Sequence, residues 1–257
     1  TAVPLAGPAN KQGRIAADVI SGREARFRGT QGTAVVGLFG LTLATTGVNE
    51  KRLKALGKPY KKVYTHSMDH AGYYPGASPI AMKLLYDPES GQLLGAQAVG
   101  DGGVEKRIDV IAMALQKGAT VYDLEEAELC YAPQYGSARD AVNIAGFAAG
   151  NTLRGDVKVV HWEDWQTRRE RGDLPFVLDV RPPAAISAMG EVPDTVKIPL
   201  GELRARMSEI PKDREIWVHC GVGLTSYIAC RILSQHGFQV ANLSGGITSF
   251  KMRGTSC

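Results

Sequence analysis

Cys220 stands in the stretch HCGVGLTSYI (residues 219–228), directly after the apolar run IWV. A thiol does its chemistry as a thiolate, which needs positive potential around the sulfur. The residue order here is a short β-branched strand, a glycine-rich turn and the start of a helix. In such a turn the N–H groups of Gly221, Val222, Gly223, Leu224, Thr225 and Ser226 can converge on the sulfur, and the helix dipole favours an anion there. Gly221 and Gly223 let the chain curl without side chains in the way. Ser226 or Thr225 can cap the helix. The expected chemistry is that of a stabilised thiolate or persulfide; the alternative for a lone cysteine is a small buried apolar residue.

Two other readings of the same turn fail on the residues around it. A dinucleotide fold needs an acidic residue about 20 positions beyond its glycine turn to hold the ribose. No acidic residue follows Glu215, and the strand before the turn is not the first of its domain. A cysteine phosphatase with the pattern C-x5-R needs an arginine to clamp phosphate, and position 226 is serine.

The remaining reactive types are read more plainly. Asp179 and Arg181 in LDVR are expected to brace a neighbouring loop. Cys230, ten residues beyond Cys220, is expected in the core, Cys130 is expected to pack, and Cys257 is expected in a mobile tail. The four cysteines show no paired C-x-x-C spacing, so neither zinc nor a disulfide framework is expected. The chain is read as a reduced, cytoplasmic protein with no metal site. Two tyrosine-bearing turns, HAGYYPGAS (70–78) and CYAPQYGSARD (130–140), place phenols beside Pro and Gly. That composition suits loops, and their role is either chemistry or interface packing.

These groups need elements to position them. Apolar residues at 15, 16, 19 and 20 predict a helix over residues 9–21 with one buried face, ended by Gly22. TAVVGLF and KKVYTH read as strands, and PIAMKLLYD with QLLGAQAVG reads as a hairpin turning at residues 88–91. Helices are expected near 104–116 and 138–150. This half is α+β with a mostly antiparallel sheet. After NTLRGD (151–156) the pattern changes: KVVHW, PFVLDV, EIWVHC and QVANL alternate with the helical segments EDWQTRRER, LGELRARMSEI and SYIACRILSQHG. Strands separated by helices predict an α/β domain on a central parallel sheet. The boundary is set at residue 155, giving domains 1–155 and 156–257.

The chain has 257 residues, 44% of them hydrophobic, and a formal charge of +4, which fits two ordinary folded domains. The basic run KRLKALGKPYKK (51–62) has no companion, so it is read as a solvated surface rather than a nucleic-acid site. No apolar stretch reaches the roughly 20 residues of a membrane span. The sequence opens TAVPLAGPAN, without methionine or signal peptide, and is read as part of a longer protein.

Residues 157–250 resemble a rhodanese domain, through FVLDVRPP, VKIPLGELRARMSEIPKDREIWVHCGVGLTSYIACRIL and GFQVANLSGGITSF. The resemblance implies that Cys220 accepts a sulfane sulfur as a persulfide and passes it on. It departs from the family at Thr225, where Arg is usual in C-x-x-G-x-R-S, which removes a planar anion-binding fork. EVPDT also replaces HIPGA. The first half resembles the C-terminal dimerisation domain of a flavin-dependent pyridine nucleotide-disulfide reductase. VPLAGPANKQGRIAADVISG, LTLATTGVNEKRLKALG, HAGYYPGASPIAMKLLYD, GQLLGAQAVGDGGVEKRIDVIAMAL and YAPQYGSARDAVNIAGFAAGN carry that likeness.

The matching subgroup is the coenzyme A-disulfide reductases, or NADH-dependent persulfide reductases, with a fused rhodanese domain. It implies a homodimer, with FAD, NAD(P)H and coenzyme A bound in the full-length enzyme and none by this chain alone. The FAD- and NAD(P)H-binding domains would precede Thr1. Pro4, Leu5 and Ala6 match the helix start that faces the flavin. Tyr73 and Tyr131 match tyrosines that reach the partner's flavin and thiol site and donate to a departing thiolate. Asn10, Tyr73 and Arg139 match positions that contact coenzyme A. The implied partners are small persulfides, polysulfides or coenzyme A disulfide, with no nucleic acid and no membrane. The competing reading is a non-catalytic dimerisation and coenzyme A-binding scaffold whose rhodanese loop has decayed.

Overall fold

In the computed structural model, which describes residues 3–253, an antiparallel sheet is followed along the chain by a parallel one. Cys257 lies outside the described residues. The first half runs α1 (Ala6–Ile20), β1 (Ala34–Leu38), β2 (Leu41–Gly47), α2 (Glu50–Ala55), β3 (Lys61–Met68), β4 (Pro79–Tyr86), β5 (Leu93–Gly100), α3 (Val104–Gln116), α4 (Val121–Glu126) and α5 (Ala141–Leu153). Its strands lie in the order β1-β2-β5-β4-β3, every neighbour antiparallel. Alternate residues of β4, Ile80, Met82 and Leu84, point inward by the period of two and meet Ile108 and Ile111 of α3 and Val142 and Ala145 of α5. The α+β reading holds, and it gains β2, whose LTLATTG alternates too weakly in hydrophobicity to stand out as a strand.

Two expectations need correction in this half. The helix over 9–21 is present as α1, but none of its residues is buried, and Ile20 is 86% exposed. Its apolar stripe has no cover among the described residues. The helix expected at 138–150 starts instead at Ala141, because the Asp140 carboxylate caps it by accepting from the Val142 amide at 3.1 Å.

The second half runs β6 (Lys158–Val160), α6 (Trp162–Arg171), β7 (Phe176–Asp179), α7 (Pro183–Met189), β8 (Thr195–Lys197), β9 (Ile216–His219), α8 (Leu224–Gln235), β10 (Val240–Leu243) and α9 (Gly246–Met252). Its sheet has the order β6-β10-β9-β7-β8, all parallel. All four residues of the central strand β9 are buried, since helices cover both faces of a parallel sheet. Leu178, Val218 and Leu233 pack on one side, and Trp162, Trp165, Trp217 and Phe250 on the other. The segment LGELRARMSEI is not a helix. It forms tight turns and a 3-10 helix at Met207–Glu209, closed by i to i−3 bonds such as Leu203 N–H to Leu200 C=O. Pro199 and Pro211 bracket it, and Leu203 and Ile210 plug into the core.

The two sheets meet along β3. The Tyr64 amide donates to Ser244 Oγ at 2.9 Å, His66 Nε2 lies 2.8 Å from Ser249 Oγ, and Lys62 Nζ lies 3.3 Å from Glu163. This contact anchors the end of β10 and the helix α9, both of which reach the loop after β9.

Candidate functional site

The loop carrying Cys220 starts where β9 ends, at the carboxyl edge of the parallel sheet, the edge at which open α/β sheets place their ligands. Gly223 precedes α8 in the left-handed region at φ 102°. It is the N-cap, so the cap expected from Thr225 or Ser226 is not there. Ser226 falls inside the first turn, and its hydroxyl turns inward instead. Two groups donate to the cysteine sulfur: the Gly223 amide at 3.1 Å and the Ser226 hydroxyl at 3.3 Å.

Cys220 itself is 1% exposed and forms part of the floor of a cleft of about 450 Å³. Pro182, Ala185, Pro199, Leu200, Val222 and Thr225 are among its lining residues. Val222 and Leu224 stand at its rim, 41% and 53% exposed. The side chains of the wall are apolar apart from Thr225, the thiol itself and Arg181, which is 2% exposed. Its Nε lies 2.9 Å from Asp179 Oδ1 and its Nη2 donates to the Gly190 carbonyl at 3.0 Å, so the pair braces the loop. Arg181 Nη1 is buried without a partner. Beneath the loop, burial drives the imidazole of His219 down to about 4, which leaves it neutral at pH 7.

Residues far along the chain complete this site, and sequence reading assigned them no part in it. The start of α9 grips the loop carbonyls: Ile247 N–H donates to Cys220 C=O at 2.8 Å, and Thr248 N–H and Oγ1–H donate to Gly221 C=O at 3.0 and 2.9 Å. Gly246, at φ 56°, permits that approach, because a Cβ there would lie 2.5 Å from the Cys220 carbonyl oxygen. Asn242 on β10 contacts both Ser226 and Gly223. The signal for these residues is the string NLSGG, which sets a polar residue in an apolar strand and Ser-Gly-Gly directly after it. Cys230 is buried as expected, and burial pushes its thiol well above the usual range. Cys130 is exposed rather than packed, since the chain leaves the core after Leu129.

The tyrosine turns form loops, and the structure brings Tyr73 and Tyr131 together with hydroxyls 3.1 Å apart, at 77% and 48% exposure. The hydrogen bond it shares with Tyr73, with Tyr131 as donor, raises the Tyr131 phenol above its ordinary range. Arg107 of α3, 2% exposed and also absent from the sequence reading, ties the two loops together. Its guanidinium pairs with the Asp140 carboxylate at 2.7 Å and donates to the Asp69 carbonyl, while the Ala71 amide donates to Pro133 C=O at 3.2 Å. Arg139 is exposed beside this pair. Asn10 is exposed on α1 and donates to Ala6 C=O of its own helix at 2.9 Å. Pro4 and Ala6 are exposed and Leu5 half-buried at the start of α1, whose first turn holds neither an acidic residue nor a side-chain cap. Among the described residues no cluster of His, Cys, Asp or Glu could hold a metal, and no helix is long and apolar enough to cross a membrane.

Comparison with known proteins agrees with both halves. The pyridine nucleotide-disulphide oxidoreductase dimerisation domain matches residues 33–141, and the rhodanese-like domain matches residues 162–253. A reduced CoADR-RHD protein of Bacillus anthracis superimposes with a TM-score of 0.93 at 45% identity over 97% of this chain and 44% of its own. A NAD-dependent persulfide reductase from A. fulgidus does so with a TM-score of 0.87 at 39% identity, again over 97% and 44%. Coenzyme A disulfide reductase of Staphylococcus epidermidis is 40% identical over 148 residues, 57% of this chain and 33% of that protein. The chain thus spans a third to under a half of the length of these relatives. Its first half matches the dimerisation domain of the pyridine nucleotide-disulphide oxidoreductases and its second half a rhodanese-like domain, and the Bacillus anthracis and A. fulgidus proteins are similar to it across both.

Proposed function

We propose that Cys220 carries sulfane sulfur for a coenzyme A-disulfide or persulfide reductase of which this chain is part. The observation that carries the reading is the pair of donors on Sγ, the Gly223 amide and the Ser226 hydroxyl, at the floor of an open cleft. Donors aimed at sulfur stabilise it as an anion. The thiolate attacks the outer sulfur of a donor R–S–SH. The donor S–S bond breaks, its electron pair leaves as R–S⁻, and a new S–S bond forms on Cys220, so no net redox change occurs. An acceptor thiolate then takes the outer sulfur and Cys220 departs as a thiolate.

In the same reading, Tyr73 and Tyr131 form a paired phenol that donates a proton to a thiolate leaving at the reductase centre of a partner subunit. Tyr131 also contacts the flavin there. Asn10, Tyr73 and Arg139 hold coenzyme A, the arginine on phosphate. Pro4, Leu5 and Ala6 present the uncapped start of α1 to the flavin edge, and an N-terminus free of acidic side chains fits negative charge there. FAD with NAD(P)H supplies the two electrons of the reduction. The active form is a homodimer and its place is the cytoplasm.

The test is sulfide release from polysulfide by wild type and Cys220→Ser. The variant is expected to lose transfer by a factor of about 100 or more, in keeping with removal of a nucleophile. Equal rates would leave only a dimerisation and coenzyme A-binding scaffold.

A further inference from the structure

The Ser226 hydroxyl has one proton and two claimants. Oγ lies 3.3 Å from Cys220 Sγ and 2.7 Å from Asn242 Oδ1. The orientation of the amide follows from its other end: Asn242 Nδ2 faces the Gly223 carbonyl at 3.1 Å, which can only accept, so the atom facing Ser226 is the carbonyl oxygen. In this contact Asn242 can therefore only accept from the Ser226 hydroxyl and never donate to it. It also holds Gly223, whose amide is the other donor to sulfur. Ser226 is fully buried and Asn242 is 8% exposed, so bulk water is a poor substitute for either bond.

We propose that Asn242 is a positioning residue that competes with the Cys220 sulfur for the Ser226 proton and so sets when the sulfur is anionic. With a thiol, Ser226 donates to Asn242 and accepts from S–H. With an anion, the hydroxyl rotates to sulfur and Asn242 Oδ1 loses its donor. The rotation serves both half-reactions. It steadies the thiolate that attacks the donor. It again steadies the thiolate that leaves when the acceptor thiolate breaks the Cys220 S–S bond and the electron pair stays on Sγ. The proposal rests on Cys220 as sulfur carrier, but its test reads the thiol itself.

The other ionisable groups that face this core are His219 on β9, the Asp179–Arg181 pair at the end of β7, and Tyr227 and Cys230 on α8. All are retained in the variants. Alkylation of Cys220 by iodoacetamide is followed against pH in the 257-residue chain, with residue-resolved tandem mass spectrometry separating it from the other cysteines, Cys230 on the same peptide included. Asn242→Leu removes the competitor. It is expected to lower the pH midpoint of alkylation by about one unit, tenfold in rate on the rising limb, relative to its effect in a Ser226→Ala background. Asn242→Asp keeps an acceptor with more charge, and is expected to raise the midpoint more with Ser226 present than without it. This second variant decides the matter where the leucine variant does not fold. Equal shifts in the two serine backgrounds, including no shift in either, overturn the proposal, because they reduce Asn242 to a support of the loop. A failure of Cys220→Ser to abolish sulfur transfer would instead remove the carrier reading and leave this measurement standing.

Discussion

Thr225 decides how the cleft treats charge. It is exposed on the rim where the rhodanese pattern has arginine, and the buried Arg181 is engaged by Asp179 and Gly190. A dianionic donor such as thiosulfate therefore meets no mobile cation, whereas an uncharged or alkyl persulfide meets Val222, Leu224 and Leu200. Thr225→Arg is expected to lower the KM for thiosulfate about tenfold, the worth of one charge-assisted bond, and to leave turnover of an alkyl persulfide within about twofold. Steady-state assays with the two donors check it; an equal change for both would show that rim charge does not set donor choice. The cysteine, its glycines and Ser226 were legible because a strand, a turn and a helix adjacent in sequence build that loop. Asn242, Gly246 and Arg107 were not, because each reaches its site from an element far along the chain, and only the packing of β10, α9 and α3 brings it there.

At the scale of elements, α9 serves as a clamp on the loop that bears the sulfur. Its first amides hold the Cys220 and Gly221 carbonyls, and its entry needs a residue without a side chain at 246. Gly246→Ala adds a Cβ against backbone and forces a non-glycine residue to φ 56°, a combination expected to cost about 1–3 kcal/mol or more. Gly201→Ala, where the added Cβ meets nothing within 4 Å, is expected to stay within about 0.5 kcal/mol. Urea unfolding of both variants measures the difference, and equal stabilities would contradict the clamp. The class of each sheet and most of its long strands could be read from periodicity, since burial on one face or two imposes it, whereas the short elements α2, α4, α7, β8 and α9 and the strand β2 could not. The misread elements are those whose context overrides pattern. LGELRARMSEI has helical spacing but lies between two prolines and plugs the core at Leu203 and Ile210. The apolar face of α1 has helical period but nothing among the described residues to meet.

Across the whole molecule, the joint between the sheets is built on neutral histidines. Burial holds His66 and His161 at about 4, as it does His219, against an ordinary value of 6.5. The unfolded chain thus takes up these protons first as the pH falls. Their contribution to stability is complete above about 6.5 and is lost on acidification toward 4, on the order of 1–3 kcal/mol for each. Thermal unfolding between those limits is expected to show a falling Tm that flattens in the His66→Gln/His161→Gln variant; an unchanged slope would place the acid sensitivity elsewhere. The first sheet then holds β10 and α9, and through them the sulfur loop, in a fixed place. Whether that loop carries sulfur is answered most directly by mass spectrometry of the chain after exposure to polysulfide. A single added sulfur, roughly 32 Da, on the peptide containing Cys220 and lost in Cys220→Ser is the expected result. An unmodified Cys220 beside a modified Cys130 would contradict the account.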